Sequence, residues 1–285
     1  MLLALKAPWN ERNGRFSAVK LVVFIALFAP AAWILFQLSQ GWLFPKPVIE
    51  LTHRTGDWAA RLIMLSLLIS PLRKMAQWPK AIILRRMVGV AAFAYALAHF
   101  SLYIIDQSFD LLHVASEIAL RFYLTIGFVT LLGLGALAAT STDAMIKRLG
   151  AQKWNRLHNL VYAIAALGLL HYYIQAKKDV TQPVLLSGLY FLLMLYRLFL
   201  KRGAPLWAAV VGAAALAPVI SALAEAGWYA LVRHIDFWEV LSANFDPELD
   251  FSASFYVAMV GIAFVAVYGV RNFKLPGLAA LAGAK

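Results

Sequence analysis

The chain of 285 residues contains no cysteine. That excludes disulfides, cysteine-ligated iron–sulfur clusters and heme attached covalently through a C-x-x-C-H motif. Charge is also scarce: 14% of residues are charged, where soluble domains carry about a quarter. The sequence has neither the Rossmann pattern G-x-G-x-x-G nor a P-loop. Electrons, if the chain handles them, must therefore come from another protein or a membrane carrier. Gly133 and Gly135 resemble a fragment of the Rossmann pattern, but they lie in an apolar run where small residues let helices pack closely. No small-x-small cleavage site follows the first apolar run, which therefore reads as a retained anchor.

Apolar residues are what the chain has in abundance. They make up 62% of it, with a mean hydropathy of +0.74. They cluster into runs of roughly 18 to 22 residues, the length that crosses ~30 Å of hydrocarbon. Inside a bilayer each backbone polar group needs an internal partner, so such runs must be helices. The fold class expected is an all-α, polytopic transmembrane helix bundle. The runs predict spans at 18–39, 57–72, 86–105, 121–140, 158–175, 183–200, 206–224 and 253–270. That gives an N-terminal segment 1–17, a six-helix core over 18–200, and an extension over 201–285 with two further spans. Residues 225–252, with Trp228, Trp238, Glu239, Asp246, Glu248 and Asp250, read as the largest outer loop.

The net charge of +12 would suggest nucleic acid in a soluble protein. Its placement says otherwise. With the N-terminus inside, the inner segments carry Lys6, Arg12, Arg15, Lys20, Arg73, Lys74, Lys80, Arg85 and Arg86. They also carry Lys147, Arg148, Lys153, Arg156, Lys201, Arg202, Arg271, Lys274 and Lys285. Only Lys46, Arg54, Arg121, Lys177, Lys178 and Arg233 fall outside, and Arg61 and Arg197 lie within spans. Lys and Arg retained on the cytoplasmic side set orientation. Both termini are expected in the cytoplasm, and the basic charge reports topology and membrane lipid, with no nucleic-acid partner.

Six histidines occur, and depth separates them. His113 and His234 fall in outer loops and read as surface residues, and His53 reads as interfacial. His99 lies thirteen residues beyond Arg86, at the inner start of its span, and His171 lies thirteen beyond His158. At about 1.5 Å per residue both sit roughly 20 Å deep. Two neutral imidazoles on different helices at one depth suit axial ligation of heme iron. The plainer alternative is that each bonds a neighbouring helix separately. His158, beside Trp154 and level with Arg85 and Arg86, lies about 220° around an ideal straight helix from His171. A second bis-histidine site there is doubtful, which leaves a flavin, a quinone, a second iron or no ligand as its neighbour. Arg61 follows Asp57 by four residues, so an ion pair explains it economically. A contact from Arg54, Arg61 or Arg121 to a heme propionate is the other reading.

At these residues the sequence resembles a known family. Lys147-Arg148-Leu149-Gly150, then Trp154-Asn155-Arg156-Leu157-His158-Asn159-Leu160-Val161-Tyr162 and on to His171-Tyr172, carries the resemblance. So do Arg85-Arg86-Met87-Val88-Gly89 leading to Tyr95 and His99, and Thr55-Gly56-Asp57-Trp58 running to Ser70-Pro71-Leu72-Arg73. Phe122-Tyr123-Leu124-Thr125-Ile126-Gly127, ending at Thr140-Ser141, is a further match. Over roughly residues 15–200 the chain is similar to the heme-binding membrane subunits of bacterial protein-methionine-sulfoxide reductase systems, the MsrQ family. That family lies within the ferric-reductase and NADPH-oxidase-like transmembrane superfamily. The resemblance implies a six-helix heme core with His99 and His171 as axial ligands, and a further family histidine at His158. It also implies heme b and FMN as cofactors in the bacterial inner membrane. Electrons would arrive from a cytosolic flavin reductase or the quinone pool. They would leave to a periplasmic molybdopterin-containing subunit that reduces methionine sulfoxide, so that the sulfoxide chemistry occurs in the partner. The spans at 206–224 and 253–270 lie beyond the resemblance. The rival readings are a related heme reductase acting on a metal ion or oxygen, and a transporter or scaffold whose histidines only pack.

Overall fold

The computed structural model describes residues 7–10, 14–176, 179–246, 248 and 251–272. Lys6, Arg12, Lys177, Lys178, Asp250, Lys274 and Lys285, used in the reading above, lie outside the described residues. Among the described residues the structure is helical and forms no strand. Seven stretches of the described residues are long and apolar enough to cross a membrane: Ala18–Ser39, Pro79–Asp106, Phe122–Ala139, Ala151–Ala176, Thr181–Lys201, Leu206–Arg233 and Ala253–Asn272. The chain is a multi-pass membrane protein, an all-α bundle as expected.

The remaining predicted span, 57–72, falls inside a helix of 29 residues, α3 (Pro47–Met75). It is less apolar than the other seven because Glu50, Arg54, Asp57 and Arg61 charge its first half and Arg73 and Lys74 its end. In its second half Leu62, Met64, Leu67 and Met75 are buried.

The described residues divide into two compact units, one with the residues up to Ser66 and Ile82–His171, the other with Leu67–Ala81 and the residues from Tyr172 onward. In the first unit the predicted span 18–39 is not one helix. It breaks at Leu27–Phe28 into α1 (Ala18–Ala26) and α2 (Ala29–Ser39). In an unbroken helix the Ala31 amide would donate to the Leu27 carbonyl. Here it donates to the Tyr95 hydroxyl at 3.0 Å, and that hydroxyl donates to the Leu27 carbonyl at 2.9 Å. A side chain inserted into the helical ladder, next to Pro30 with its missing N–H, is a recognised cause of such a break.

Tyr95 belongs to α4 (Ile82–Asp106), which packs on α6 (Phe122–Ala139); α5 (Leu111–Leu120) lies against α6 as well. A Cβ on Gly133 would come 2.8 Å from Ile164, and one on Gly135 would come 3.3 Å from Phe93. Both glycines therefore serve close helix packing, as expected. After α7 (Asp143–Leu149), helix α8 (Ala151–His158) ends at the histidine, and α9 (Val161–Ala176) starts beyond Asn159–Leu160. His158 and His171 thus stand on separate helices, which corrects the span drawn from 158 and the rotation of about 220° assumed for one straight helix.

The second unit is built on α10 (Thr181–Lys201), α11 (Leu206–Trp228) and α13 (Ala253–Asn272), with the short α12 (Phe237–Ala243) between the last two. Ala209, Ala213, Ala217, Ser221 and Ala226 form the buried stripe of α11. That stripe carries the helix past the predicted end at 224 and into a π-turn at Tyr229–Arg233. Glu225 and Trp228 are consequently helical, and the loop drawn from 225 begins only after Arg233. Two prolines leave carbonyls without helical partners, and a side chain donates to one of them. Pro218 frees the Ala214 carbonyl, against which Gly261 packs so closely that a Cβ there would lie 3.1 Å from the oxygen. Pro71 frees the Leu67 carbonyl, which accepts from Arg197 Nη2 at 2.5 Å while Nη1 donates to the Leu193 carbonyl at 2.7 Å. Arg197, a cation within a span, thereby repairs a proline gap. The turn after α3 is tied to the end of α13: Asn272 donates to the Met75 carbonyl at 3.0 Å, and Gln77 donates to Asn272 at 3.0 Å.

Candidate functional site

His99 on α4 and His171 on α9 come together in the first unit. His99 Nδ1 lies 2.7 Å from the Thr52 carbonyl of α3. His171 Nδ1 lies 2.8 Å from the Tyr123 carbonyl of α6. A carbonyl oxygen only accepts, so each Nδ1 carries the proton and donates it. Each Nε2 then keeps its lone pair, the tautomer and orientation in which imidazole binds a metal. The ring centroids are 6.3 Å apart and the ring planes cross at 83°. Two metal–imidazole bonds of about 2 Å, plus about 1 Å from each nitrogen to its ring centre, add up to about 6 Å. The spacing of the ring centres thus matches that of two imidazoles sharing one metal ion. Among the described residues no group of three or more His, Asp or Glu is arranged to hold a metal. A metal held here would take two ligands from the protein and the rest from its own macrocycle, which is how heme iron is bound.

The residues singled out at the basic end also converge. His158, Trp154, Arg85 and Arg86 line one cavity of about 60 Å³, together with Ser66 and Ser141. The His158 ring stacks on Trp154, with centroids 3.8 Å apart. Its Nε2 lies 3.1 Å from the Thr140 hydroxyl, and Trp154 Nε1 donates to the Thr140 carbonyl at 2.8 Å. Arg86 pairs with Asp143 at 2.6 Å. Organic ligands occupy sites of roughly 300 Å³ or more, so an isoalloxazine ring does not fit this cavity. A crevice of about 560 Å³ lies alongside, between α1 and α2 on one side and α4 on the other. Phe24, Phe28, Val90 and Tyr95 line it, with Lys20 and Arg86 among its charged wall.

The three arginines considered for propionates stand in separate settings. Arg54 donates to Gln37 at 2.9 Å and lies 3.9 Å from Glu50. The Arg61 guanidinium lies over the Trp58 ring, 5.2 Å from its centroid. Arg121, at the start of α6, pairs with Glu117 at 2.5 Å and donates to the Tyr123 hydroxyl at 3.0 Å. His53, His113 and His234 are exposed. The sequence reading missed Thr52 altogether and gave Tyr123 and Thr140, which it noted only as part of the resemblance, no place in the site. The first two act through backbone carbonyls, which leave no signature in a sequence.

This helical membrane protein brings two imidazoles of one tautomer together on separate helices with their planes nearly perpendicular, an arrangement that cofactor-binding bundles use. Residues 55–169 match the family described as ferric reductase like transmembrane component. The chain is 39% identical over 189 residues to the protein-methionine-sulfoxide reductase heme-binding subunit MsrQ of Herminiimonas arsenicoxydans, covering 65% of this chain and 86% of that protein. It is 36% identical to the MsrQ subunit of Caulobacter vibrioides, covering 64% of this chain and 87% of the relative. For the Rhodospirillum rubrum subunit the identity is 38%, over 66% of this chain and 89% of the relative. No solved structure matches the chain. The chain belongs to the MsrQ family.

Proposed function

We propose that the chain carries electrons across the bacterial inner membrane through one b-type heme held between His99 and His171. It delivers them to a periplasmic molybdopterin-containing subunit that reduces methionine sulfoxide. The observation that carries this reading is the paired geometry: two Nδ1–carbonyl bonds and two rings 6.3 Å apart. Heme iron, once bound, takes up and releases one electron at a time. The protein's own part is to hold two neutral imidazoles, fix their tautomer through Thr52 and Tyr123, and keep the site within apolar helices.

Lys147, Arg148 and Lys153 are exposed at the basic end. Their field would attract an acidic partner, which suits a cytosolic flavin reductase as donor. A membrane quinol is the second donor, and the crevice of about 560 Å³ has the size for its ring. The FMN that the resemblance implies exceeds the cavity at His158, whereas the crevice alongside has the size for its ring as well. His158, Trp154, Arg85 and Arg86 are assigned to the side where electrons enter.

The test is the absorption spectrum of purified protein, oxidised and dithionite-reduced, with heme quantified against polypeptide. His99→Ala and His171→Ala should each lose the six-coordinate b-type spectrum, while His158→Ala keeps it. Normal heme in either of the first two removes the ligand assignment. A colourless, folded wild type leaves the transporter or scaffold reading in place, and turnover of a metal ion or oxygen without a protein partner favours the related reductases.

A further inference from the structure

Two glycines lie against the imidazoles. A Cβ on Gly56 would fall 2.8 Å from Nδ1 and 3.1 Å from Cε1 of His99. A Cβ on Gly127 would fall 2.7 Å from Cε1, 2.8 Å from Nδ1 and 3.2 Å from Nε2 of His171. Non-bonded carbons rest about 3.5–4.0 Å apart, so neither ring could keep its place beside an alanine. The register is the same on both helices. Gly56 follows Thr52 by four residues in α3, and Gly127 follows Tyr123 by four in α6.

That spacing has a physical reason. In an α-helix the carbonyl of residue i already accepts from the amide of residue i+4. It keeps a second lone pair, and here an imidazole Nδ1–H uses it, with the Thr55 hydroxyl also 3.0 Å from the Thr52 oxygen. A ring that reaches this oxygen from outside the helix must lie over residue i+4. Only a residue without a side chain leaves the room. Gly in mid-helix costs about 1 kcal/mol relative to Ala, so local helix propensity does not account for either one.

We infer that Gly56 and Gly127 are positioning residues, two matched seats that let the Thr52 and Tyr123 carbonyls fix the tautomer and plane of the ligand imidazoles. The inference rests on the reading of His99 and His171 as heme ligands. A methyl at either seat pushes the ring off its carbonyl, which frees the tautomer and swings Nε2 away from the metal. Gly127 is the tighter seat, because the added carbon would also press on Nε2.

The experiment compares Gly56→Ala, Gly127→Ala and the control Gly227→Ala, whose Cβ would meet nothing within 4 Å, alongside His99→Ala and His171→Ala. The readouts are heme per polypeptide, the affinity for added hemin, the midpoint potential and carbon monoxide binding by the reduced protein. Loss of an outer hydrogen-bond partner of a metal ligand lowers affinity about 10- to 100-fold. Both seat variants should weaken hemin binding on that scale, Gly127→Ala the more, and should bind carbon monoxide at the position the displaced imidazole leaves open. Gly227→Ala should match the wild type. If the histidine variants lose heme but both seat variants keep wild-type affinity, potential and inertness to carbon monoxide, the seats are refuted and the ligands stand. Heme retained in both histidine variants refutes the ligand reading itself. Should Gly127→Ala fold poorly, Gly56→Ala decides the matter: weakened hemin binding with carbon monoxide uptake supports the seats, and wild-type affinity, potential and inertness to carbon monoxide overturn them.

Discussion

Single hydrogen bonds to backbone carbonyls recur through this protein, each made by a side chain from another helix. His99 and His171 make two of them, and Tyr95 and Arg197 make others. Leaving a buried carbonyl unsatisfied costs about 1–3 kcal/mol, and in lipid no water replaces the lost partner. Tyr95→Phe removes the hydroxyl between Leu27 and Ala31 and keeps the ring. It should lower stability by about 1–3 kcal/mol, read as a lower melting temperature in detergent at unchanged heme content. An unchanged melting temperature would mean that α1 and α2 rejoin across the gap without help. By contrast, the Arg86–Asp143 pair is more than a third exposed on both sides, where ion pairs contribute about 0–1 kcal/mol.

At the scale of the helices, the departures from the predicted spans share one cause. Hydropathy marks where a chain is apolar, but not where a neighbour or a proline interrupts its ladder. The run 18–39 is continuous in composition and broken in structure because Tyr95 enters it. The α3 helix is continuous in structure and interrupted in hydropathy because charged residues occupy its first half and its end. Arg197 was legible as a cation in a span but not as the partner of Leu67, since that depends on Pro71 presenting a bare carbonyl 130 residues earlier. Arg197→Leu should therefore cost about 1–3 kcal/mol and speed amide exchange in α3 around Pro71, with Arg197→Lys falling between it and the wild type. Equal exchange in all three would show that the carbonyl finds another partner.

For the molecule as a whole, the missing cysteines become an advantage. A single introduced thiol is the only one a membrane-impermeant reagent can reach. Lys153→Cys, on the basic end, and His113→Cys, at the opposite level, are both exposed positions. In intact cells His113→Cys should label from outside and Lys153→Cys only after the inner membrane is opened. The reverse pattern would invert the proposed direction of electron flow, and labelling of both from one side would break the topology.

The sequence by itself determined the class of the protein, the approximate position of its spans, the uneven charge from which an orientation is expected, and the two histidines that share one depth. Each of these follows from residue type and spacing along one chain: apolar length against bilayer thickness, and thirteen residues of rise from a basic end to His99 and to His171. The tertiary structure alone decided that Thr52 and Tyr123 hold those rings, that Gly56 and Gly127 make room for them, and that His158 closes a helix of its own. Backbone carbonyls are alike in every residue, so nothing in their side chains announces which one a distant imidazole will find. That choice is made by how closely two helices approach, and close approach becomes visible only when both helices are in place.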